Sequence, residues 1–128
     1  MGDEILGERV ATIHPCFEGG RGTPETNINS LSYIGQDEDL VYYAGGFNGG
    51  SKVEYLKMCD ILNSNIDKDL EKGIIALWHD ESHMNRYFID NPPVVVLDFG
   101  YCYPECFDRN CNKKIIALNK DHKEIRKL

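Results

Sequence analysis

The sequence lacks a long apolar run and has few basic residues. Its 128 residues contain 14 Lys and Arg against 21 Asp and Glu, which gives a formal net charge of −7. This balance argues against a nucleic-acid partner, because neutralising phosphates requires a basic face. No apolar run reaches the about 18 residues of a membrane span, and residues 1–4 lack the basic and apolar regions of a signal peptide. We therefore expect a cytoplasmic chain without a membrane segment.

The sequence also lacks a paired arrangement of cysteines. It has five, an odd number that leaves at least one unpaired in any intramolecular disulfide scheme, and none of them forms a Cys-x-x-Cys pair. Reduced thiols are the simpler interpretation. Three of the cysteines are close in sequence, namely Cys102, Cys106 and Cys111. Their irregular spacing and the lack of an evident fourth ligand disfavour a zinc site. We expect no metal site in this chain.

The length predicts one domain, residues 1–128, and its 41% of hydrophobic residues suffice for a modest core. Ser51 and Glu54 have capping-box spacing and predict a helix that ends at Gly73. The buried stripe predicted for this helix is Val53, Leu56, Cys59, Leu62, Ile66 and Leu70. Short apolar segments predict strands over residues 10–13, 33–34, 40–43, 94–97 and 115–118. Of these, 94–97 is expected to be buried on both faces. The irregular alternation of elements indicates an α/β domain with a mixed sheet.

The densest chemistry lies in the eight residues that start at Trp78 and read Trp, His, Asp, Glu, Ser, His, Met, Asn. One interpretation is structural, in which Asp80 or Ser82 caps a helix and the polar side chains face water. The inner face of that helix would be Leu77, Met84, Tyr87 and Phe88. A functional interpretation uses the carboxylates and imidazoles, which are too concentrated for a solvated face.

A zinc site is a further interpretation of the same run, because His79 and His83 are four residues apart and would share one face of a helix. The zinc-peptidase pattern requires Glu directly after the first His. Asp80 stands at that position and Glu81 follows one place late, so the presumed base would point away from the metal. The spacing therefore disfavours this chemistry.

Four glycines occur between Gly45 and Gly50, ahead of the first predicted helix. Glycines before a helix can cradle phosphate, but this run has no Lys at the P-loop position. A steric role is the better interpretation. A strand end formed by Ala44, Gly45 and Gly46 has almost no side chain, so another molecule can lie against its backbone.

Basic residues concentrate at the C-terminus despite the acidic total. The last 16 residues contain six of them, namely Lys113, Lys114, Lys120, Lys123, Arg126 and Lys127. A solvated terminus is the ordinary interpretation of such a tail. An anionic ligand such as a diphosphate is the functional one.

The run from Trp78 to His83, followed by a hydrophobic residue and Asn85, resembles the signature of the family 6 glycosyltransferases. This group holds the blood-group A and B transferases and the α-1,3-galactosyltransferases. Residues 42–51, Tyr-Tyr-Ala-Gly-Gly-Phe-Asn-Gly-Gly-Ser, are similar to a second stretch of that family. Two further anchors agree, at the start and the end of the chain: Ile13-His14-Pro15-x-Phe17 and Lys120-x-His122-x-x-x-Arg126. The four motifs stand in the family's order and span essentially the whole chain.

The resemblance implies a retaining hexosyltransferase that moves galactose or N-acetylgalactosamine from a UDP-sugar donor to a glycan acceptor in α-1,3 linkage. The implied architecture is a truncated GT-A-like nucleotide-sugar transferase fold. Glu81 would be the catalytic carboxylate on the β face of the sugar, stabilising the cationic sugar or attacking it. The implied binding residues are Ala44, Gly45, Gly46 and Asp80 for the donor sugar, His14 and Trp78 for the acceptor, and Lys120 and Arg126 for the diphosphate.

The same resemblance suggests a donor. The first and third positions of the Ala44-Gly45-Gly46 triplet would line the pocket around the sugar's C2 substituent. Both residues are small, which leaves room for an acetamido group. We expect a preference for UDP-N-acetylgalactosamine, with slack towards UDP-galactose.

The sequence departs from the family in having no Asp-x-Asp motif after a strand, the element that binds manganese and diphosphate. Residues 37–39 and 67–69 have the letters, but fall in a predicted turn and a predicted helix. We expect the chain to be the C-terminal half of a catalytic domain, with a separately encoded N-terminal half as its partner. We expect no cofactor in this chain. In the complete protein we expect Mn²⁺ where the N-terminal half carries Asp-x-Asp. An animal-type member would lie at the Golgi membrane. The alternative function is a catalytically inactive carbohydrate-binding remnant.

Overall fold

The computed structural model describes residues 2–107, 109 and 111–119. The strands in this part of the chain are β1 (Arg9–Ile13), β2 (Tyr43–Gly50), β3 (Val95–Leu97), β4 (Tyr103–Pro104) and β5 (Ile116–Ala117). The helices are α1 (Lys52–Glu71) and α2 (Asp80–Asp90), with 3-10 turns at Asp3–Ile5 and Phe99–Cys102. β1 is central in a sheet of order β2-β1-β3, antiparallel to β2 and parallel to β3, and β4 pairs with β5. The predicted α/β class and mixed sheet are confirmed.

β2 contains a large bulge that the glycines make possible. Val10 of β1 pairs with Gly49, whereas Thr12 pairs with Ala44, so residues 45–48 lie opposite Ala11 alone. Extra residues on one strand bend it and release its backbone groups from regular pairing. The predicted glycine-rich strand end is therefore a longer strand whose middle leaves the sheet, and the helix starts only after it.

α2 docks on the start of β2 through a buried side chain that behaves like a neighbouring strand. Asn85 has no exposed surface, and its Oδ1 accepts from the Tyr43 backbone N–H at 2.8 Å. Its Nδ2 donates to the carbonyl oxygens of Tyr43 at 3.0 Å and Glu81 at 2.9 Å. Around this contact, a core cluster joins the sheet to both helices and consists of Ala11, Tyr43, Met58, Met84, Tyr87 and Phe88.

α1 begins as predicted, with the Ser51 hydroxyl accepting from the Glu54 N–H at 3.3 Å. The Glu54 carboxylate does not complete the capping box, because it accepts from Arg9 at 3.2 Å. Gly73, at φ 74°, follows the end of the helix as expected. No helix in the described residues combines the length and apolar character of a membrane span.

The predicted buried stripe of α1 is wrong for most of its members. Val53 is 75% exposed and Leu70 52%, and Leu56 and Cys59 are exposed as well. The fully buried side chains of this helix are Met58 and Asp69. Helical periodicity correctly indicated the helix, but it did not indicate which side faces the sheet and α2.

Asp69 is buried because the loop before β2 satisfies its charge. Its carboxylate accepts from the Ser30 hydroxyl at 2.5 Å and from the Leu31 N–H at 2.9 Å. His83 Nε2 lies 3.5 Å away, and both side chains are almost fully buried. Burial lowers the pKa of His83, although the charges of Asp69, Glu25 and Asp80 oppose that shift. The cluster fastens both helices to residues 30–32.

Two strand predictions differ from the structure. Residues 33–34 contribute only an isolated bridge between Tyr33 and Glu25, and residues 40–42 stand outside any strand. Both segments have strand-forming side chains but no partner strand beside them. β3 forms as predicted, yet Val94 and Val96 are exposed, so it is not buried on both faces. It is an edge strand with one uncovered face among the described residues.

We predict that Asn85→Ala lowers the free energy of unfolding by about 2–4 kcal/mol. The truncation leaves the N–H and C=O groups of Tyr43 buried without partners, and each such group costs about 1–3 kcal/mol. Urea denaturation followed by circular dichroism measures the change. Asn63→Ala, at an exposed position of α1, is the matched control and should change the value by less than about 0.5 kcal/mol. Equal effects of the two substitutions would contradict the role of Asn85.

Candidate active site

The site is built on the first turn of α2, which starts from a strained residue. His79 is the N-cap with φ 54° and ψ −126°, the one non-glycine residue of positive φ in the described chain. Such a conformation costs on the order of 1–3 kcal/mol and persists only where surrounding contacts enforce it. One such contact is the Ser82 hydroxyl, which accepts from the Trp78 N–H at 2.9 Å. Asp80 and Glu81 are the first two residues of the helix that follows this turn.

The carboxylate of Glu81 is held at both oxygens. Oε1 accepts from the Tyr42 hydroxyl at 2.8 Å, and Oε2 accepts from the Gly45 backbone N–H at 2.9 Å. Hydrogen bonds to an ionised acceptor are short and strong, so together they fix the side-chain rotamer. The bulge of β2 supplies the Gly45 donor. The carboxylate therefore has a defined position against the backbone of the glycine strand.

Tyr42 links Glu81 to an aromatic cluster. Its ring centroid lies 5.7 Å from that of His14 and 5.4 Å from that of Phe17, and His14 and Phe17 are 4.7 Å apart. The pKa of Tyr42 is raised far above its usual range, mainly by burial and also by its hydrogen bond to Glu81 and the charge of that residue. A hydrogen bond with Thr23 opposes this shift. The phenol therefore stays protonated and remains a donor to the carboxylate.

His14 sits in the same cluster and is held by the backbone. The backbone N–H of His14 donates to the Tyr42 carbonyl oxygen at 3.0 Å, and its ring Nδ1 accepts from the Cys16 backbone N–H at 3.1 Å. Burial lowers the pKa of His14 below 6.5, and the nearby charge of Glu81 opposes the shift. The imidazole is therefore neutral at pH 7, and because Nδ1 accepts a hydrogen bond, Nε2 carries the ring hydrogen.

A small depression beside α1 brings two of the predicted donor-sugar residues together with the predicted catalytic carboxylate. It has a volume of about 150 Å³, and its lining includes Gly45, Asp80 and Glu81 from β2 and α2. Asp80 is exposed, as is Gly46, whereas Ala44 is buried. Trp78 is 51% exposed on the turn before His79. Lys120 and Arg126 lie outside the described residues.

The small size of Gly46 suggested open space beside it, but the structure places a side chain there. A Cβ atom at this position would lie 2.9 Å from the sulfur of Cys102. Burial raises the pKa of the Cys102 thiol, and the charge of Glu81 raises it further. The Cys102 sulfur therefore lies against Gly46 and is near enough to Glu81 to be affected by its charge, although Cys102 comes from a distant 3-10 turn.

Sequence reasoning missed the residues that hold the site. Tyr42 stands inside the quoted motif but was given no role, and Cys102 was weighed only as a zinc ligand. Glu25 is a buried acid whose carboxylate accepts from the Leu77 N–H at 2.6 Å and the Asn27 N–H at 2.9 Å, which anchors the entry to the motif. Its one signal was a lone acid in a loop of Thr, Asn and Ser.

The structural interpretation of the motif holds in part. Ser82, Met84, Tyr87 and Phe88 are buried, but Leu77 is exposed. The cap residue is His79, rather than Asp80 or Ser82. The described residues contain no group of three or more His, Cys, Asp or Glu side chains placed to hold a metal ion.

Comparison with known families gives an independent result. A family model described as glycosyltransferase family 6 matches residues 1–128. The chain belongs to glycosyltransferase family 6. The resemblance drawn from the four motifs is confirmed.

The family 6 chain is similar to curated relatives from animals and bacteria. It is 38% identical over 133 residues to histo-blood group ABO system transferase 1 of Rattus norvegicus, covering 98% of this chain and 38% of the rat protein. It is 34% identical over 115 residues to O-antigen biosynthesis glycosyltransferase WbnI of Escherichia coli, covering 88% and 49%. It is 31% identical over 127 residues to globoside alpha-1,3-N-acetylgalactosaminyltransferase 1 of Homo sapiens, covering 97% and 37%. The chain thus spans less than half of each relative.

We predict that the pKa of His14 lies below 6.5 and falls further in Glu81→Gln. Burial disfavours the imidazolium, and removing the carboxylate removes the charge that favours it. An NMR titration of the histidine ring protons, with His14→Gln for assignment, measures both values. Glu18→Gln is the control, because Glu18 pairs with Arg109 at 3.2 Å. A His14 pKa that is the same with and without the Glu81 charge would contradict the described geometry.

Proposed function

We propose that this chain is the C-terminal, donor-sugar and acceptor-binding part of a retaining glycosyltransferase. It would transfer galactose or N-acetylgalactosamine from a UDP-sugar to a glycan acceptor in α-1,3 linkage. The names of relatives support the sugar and the linkage, since they include an alpha-1,3-N-acetylgalactosaminyltransferase and an alpha-1,3-galactosyltransferase. The observation that carries the proposal is the Glu81 carboxylate, fixed by Tyr42 and Gly45 beside a depression that Asp80 also lines.

The chemistry of the transfer suits this carboxylate. The bond from the anomeric carbon to the diphosphate oxygen breaks, the diphosphate leaves with the electron pair, and the sugar becomes cationic. Glu81 stabilises the cation, or forms a bond to it that the acceptor later displaces; the acceptor hydroxyl oxygen then forms the new bond to the anomeric carbon, and its proton passes to the departing diphosphate. Because the two hydrogen bonds hold the carboxylate before the charge develops, little reorganisation is needed in the transition state. Asp80 accepts hydrogen bonds from the sugar hydroxyls.

The acceptor and the diphosphate would contact other parts of the chain. An exposed indole suits the apolar face of a sugar ring, which supports an acceptor role for Trp78. Neutral His14 offers a nitrogen to an acceptor hydroxyl close to Glu81. Lys120 and Arg126 would bind the diphosphate, one as a point charge and the other as a fork.

The family's N-terminal part would supply the uridine site and complete a GT-A-like fold. A manganese ion, where one takes part, would take its ligands from an Asp-x-Asp motif in that part. The complete enzyme is a protein in which residues 1–128 are joined to or assembled with such an N-terminal part. The lack of a side chain at Gly46 would favour UDP-N-acetylgalactosamine as donor, with the Cys102 sulfur bounding the space beside it.

We predict that Glu81→Gln in the complete enzyme lowers kcat by about 10²–10³-fold, the range for loss of one preorganised electrostatic group. The amide keeps the shape of the side chain but not the charge that faces the cationic sugar. Initial rates with UDP-N-acetylgalactosamine and UDP-galactose measure the effect. Glu71→Gln, at an exposed position of α1, is the control and should retain activity. Near-normal turnover by Glu81→Gln would remove Glu81 from the mechanism. Parent protein that binds glycans without turnover would favour the carbohydrate-binding remnant.

We predict that Lys120→Ala and Arg126→Ala act on the donor rather than on the acceptor. Each should reduce kcat/KM for the UDP-sugar by about tenfold or more, since charged hydrogen bonds contribute about 1.5–3 kcal/mol. The KM of the acceptor should stay within about twofold. Lys123→Ala and Lys127→Ala are matched controls in the same basic tail. A rise in acceptor KM alone would contradict the diphosphate assignment.

A further inference from the structure

We propose that Cys102 is a specificity-determining residue for the donor sugar, because its sulfur forms the wall that the absent side chain of Gly46 would otherwise provide. The inference rests on the proposed function and assigns one of its contacts. The geometry is direct: the sulfur occupies the direction in which a side chain at position 46 would extend, 2.9 Å from the Cβ position. The size of residue 102 therefore sets how much room lies beside Gly46.

The Cys102 sulfur is close to the reacting centre. The Glu81 carboxylate is near enough for its charge to act on the thiol, and Gly45, which donates to that carboxylate at 2.9 Å, directly precedes Gly46. The thiol stays protonated beside this negative charge. It therefore presents a small, weakly polar surface, which suits the methyl and carbonyl groups of an acetamido substituent.

The backbone that carries Cys102 is firmly held. The Asp98 carboxylate accepts from the Gly100 N–H at 2.8 Å, and the Gly100 carbonyl accepts from the N–H groups of Lys114 and Ile115 at 2.8 and 3.1 Å. The neighbouring Tyr101 is buried and donates its hydroxyl hydrogen to Glu4 at 2.9 Å. Because this turn is anchored on several sides, a change of side chain at position 102 alters the pocket rather than the turn.

Substitutions at Cys102 should therefore shift donor choice in opposite directions. Cys102→Ala enlarges the space and should raise the ratio of kcat/KM for UDP-N-acetylgalactosamine over UDP-galactose. Cys102→Leu fills it and should lower the same ratio by about tenfold, the lower end of the discrimination that one methylene group gives in a pocket. Cys106, four residues later and exposed, offers matched controls in Cys106→Ala and Cys106→Leu.

A coupled pair of variants separates the wall from a general effect on stability. Gly46→Ala forces its methyl group against the sulfur and should reduce the use of both donors. Adding Cys102→Ala removes the obstruction, so the double variant should recover at least tenfold over Gly46→Ala alone. Independent effects of the two substitutions, without such recovery, would overturn the proposed contact.

The closing experiment adds a readout that does not need turnover. In the complete enzyme, alkylation of Cys102 by iodoacetamide should slow at least fivefold with saturating UDP-N-acetylgalactosamine, while alkylation of Cys106 stays unchanged. An unchanged donor ratio in active Cys102→Ala and Cys102→Leu variants would overturn the role of Cys102. Equal alkylation of Cys102 with and without the donor would overturn it as well. Protection of Cys102 without any turnover by the parent enzyme would support the contact and count against the proposed transfer function instead.

Discussion

The docking of α2 on the first residues of β2 is the interaction on which the rest of the molecule depends. Asn85 pairs with both backbone groups of Tyr43, as a neighbouring strand would. Glu81 lies one helical turn earlier and continues the contact to Gly45. Because both side chains come from one helix face, the contact that secures the fold also fixes the carboxylate. Any shift of α2 along β2 would both break the hydrogen bonds between Asn85 and Tyr43 and displace Glu81.

The bulge in β2 makes this arrangement possible. Residues 45–48 lie opposite a single residue of β1, and within this segment the Gly45 N–H donates to Glu81 instead of to a neighbouring strand. A regular strand would direct alternate N–H groups into the ladder and leave fewer for a side chain. The lack of side chains also allows close approach, because a Cβ at Gly45 would already contact Glu81 at 3.4–3.7 Å. The glycines thus serve the position of the carboxylate as well as access for a ligand.

Local signals predicted the elements well, and tertiary contacts decided the rest. Capping residues located α1, and apolar runs located β1, β3 and β5, because these signals act within a few residues. The buried face of α1 was mispredicted because Asp69 is buried and Leu70 is not, and only a loop some 40 residues earlier explains how that charge is satisfied. The motif indicated Glu81 as a candidate for the same local reason. Its holder Tyr42 and the sulfur of Cys102 could not be predicted, since strand order and a bulge bring them near.

The groups around Glu81 explain why this carboxylate, among many, is suited to face a positive charge. Four other acids of the described chain are paired with arginines: Glu38 and Asp90 bind Arg86, Glu54 binds Arg9 and Glu18 binds Arg109. Within the described residues Glu81 forms no such pair and accepts only from a phenol and an amide. Among its titratable neighbours, burial keeps His14 deprotonated and Cys102 protonated, and Asp80 adds a second carboxyl group beside the same depression. A fixed carboxylate surrounded by neutral donors keeps its full attraction for a positive charge that arises in the substrate.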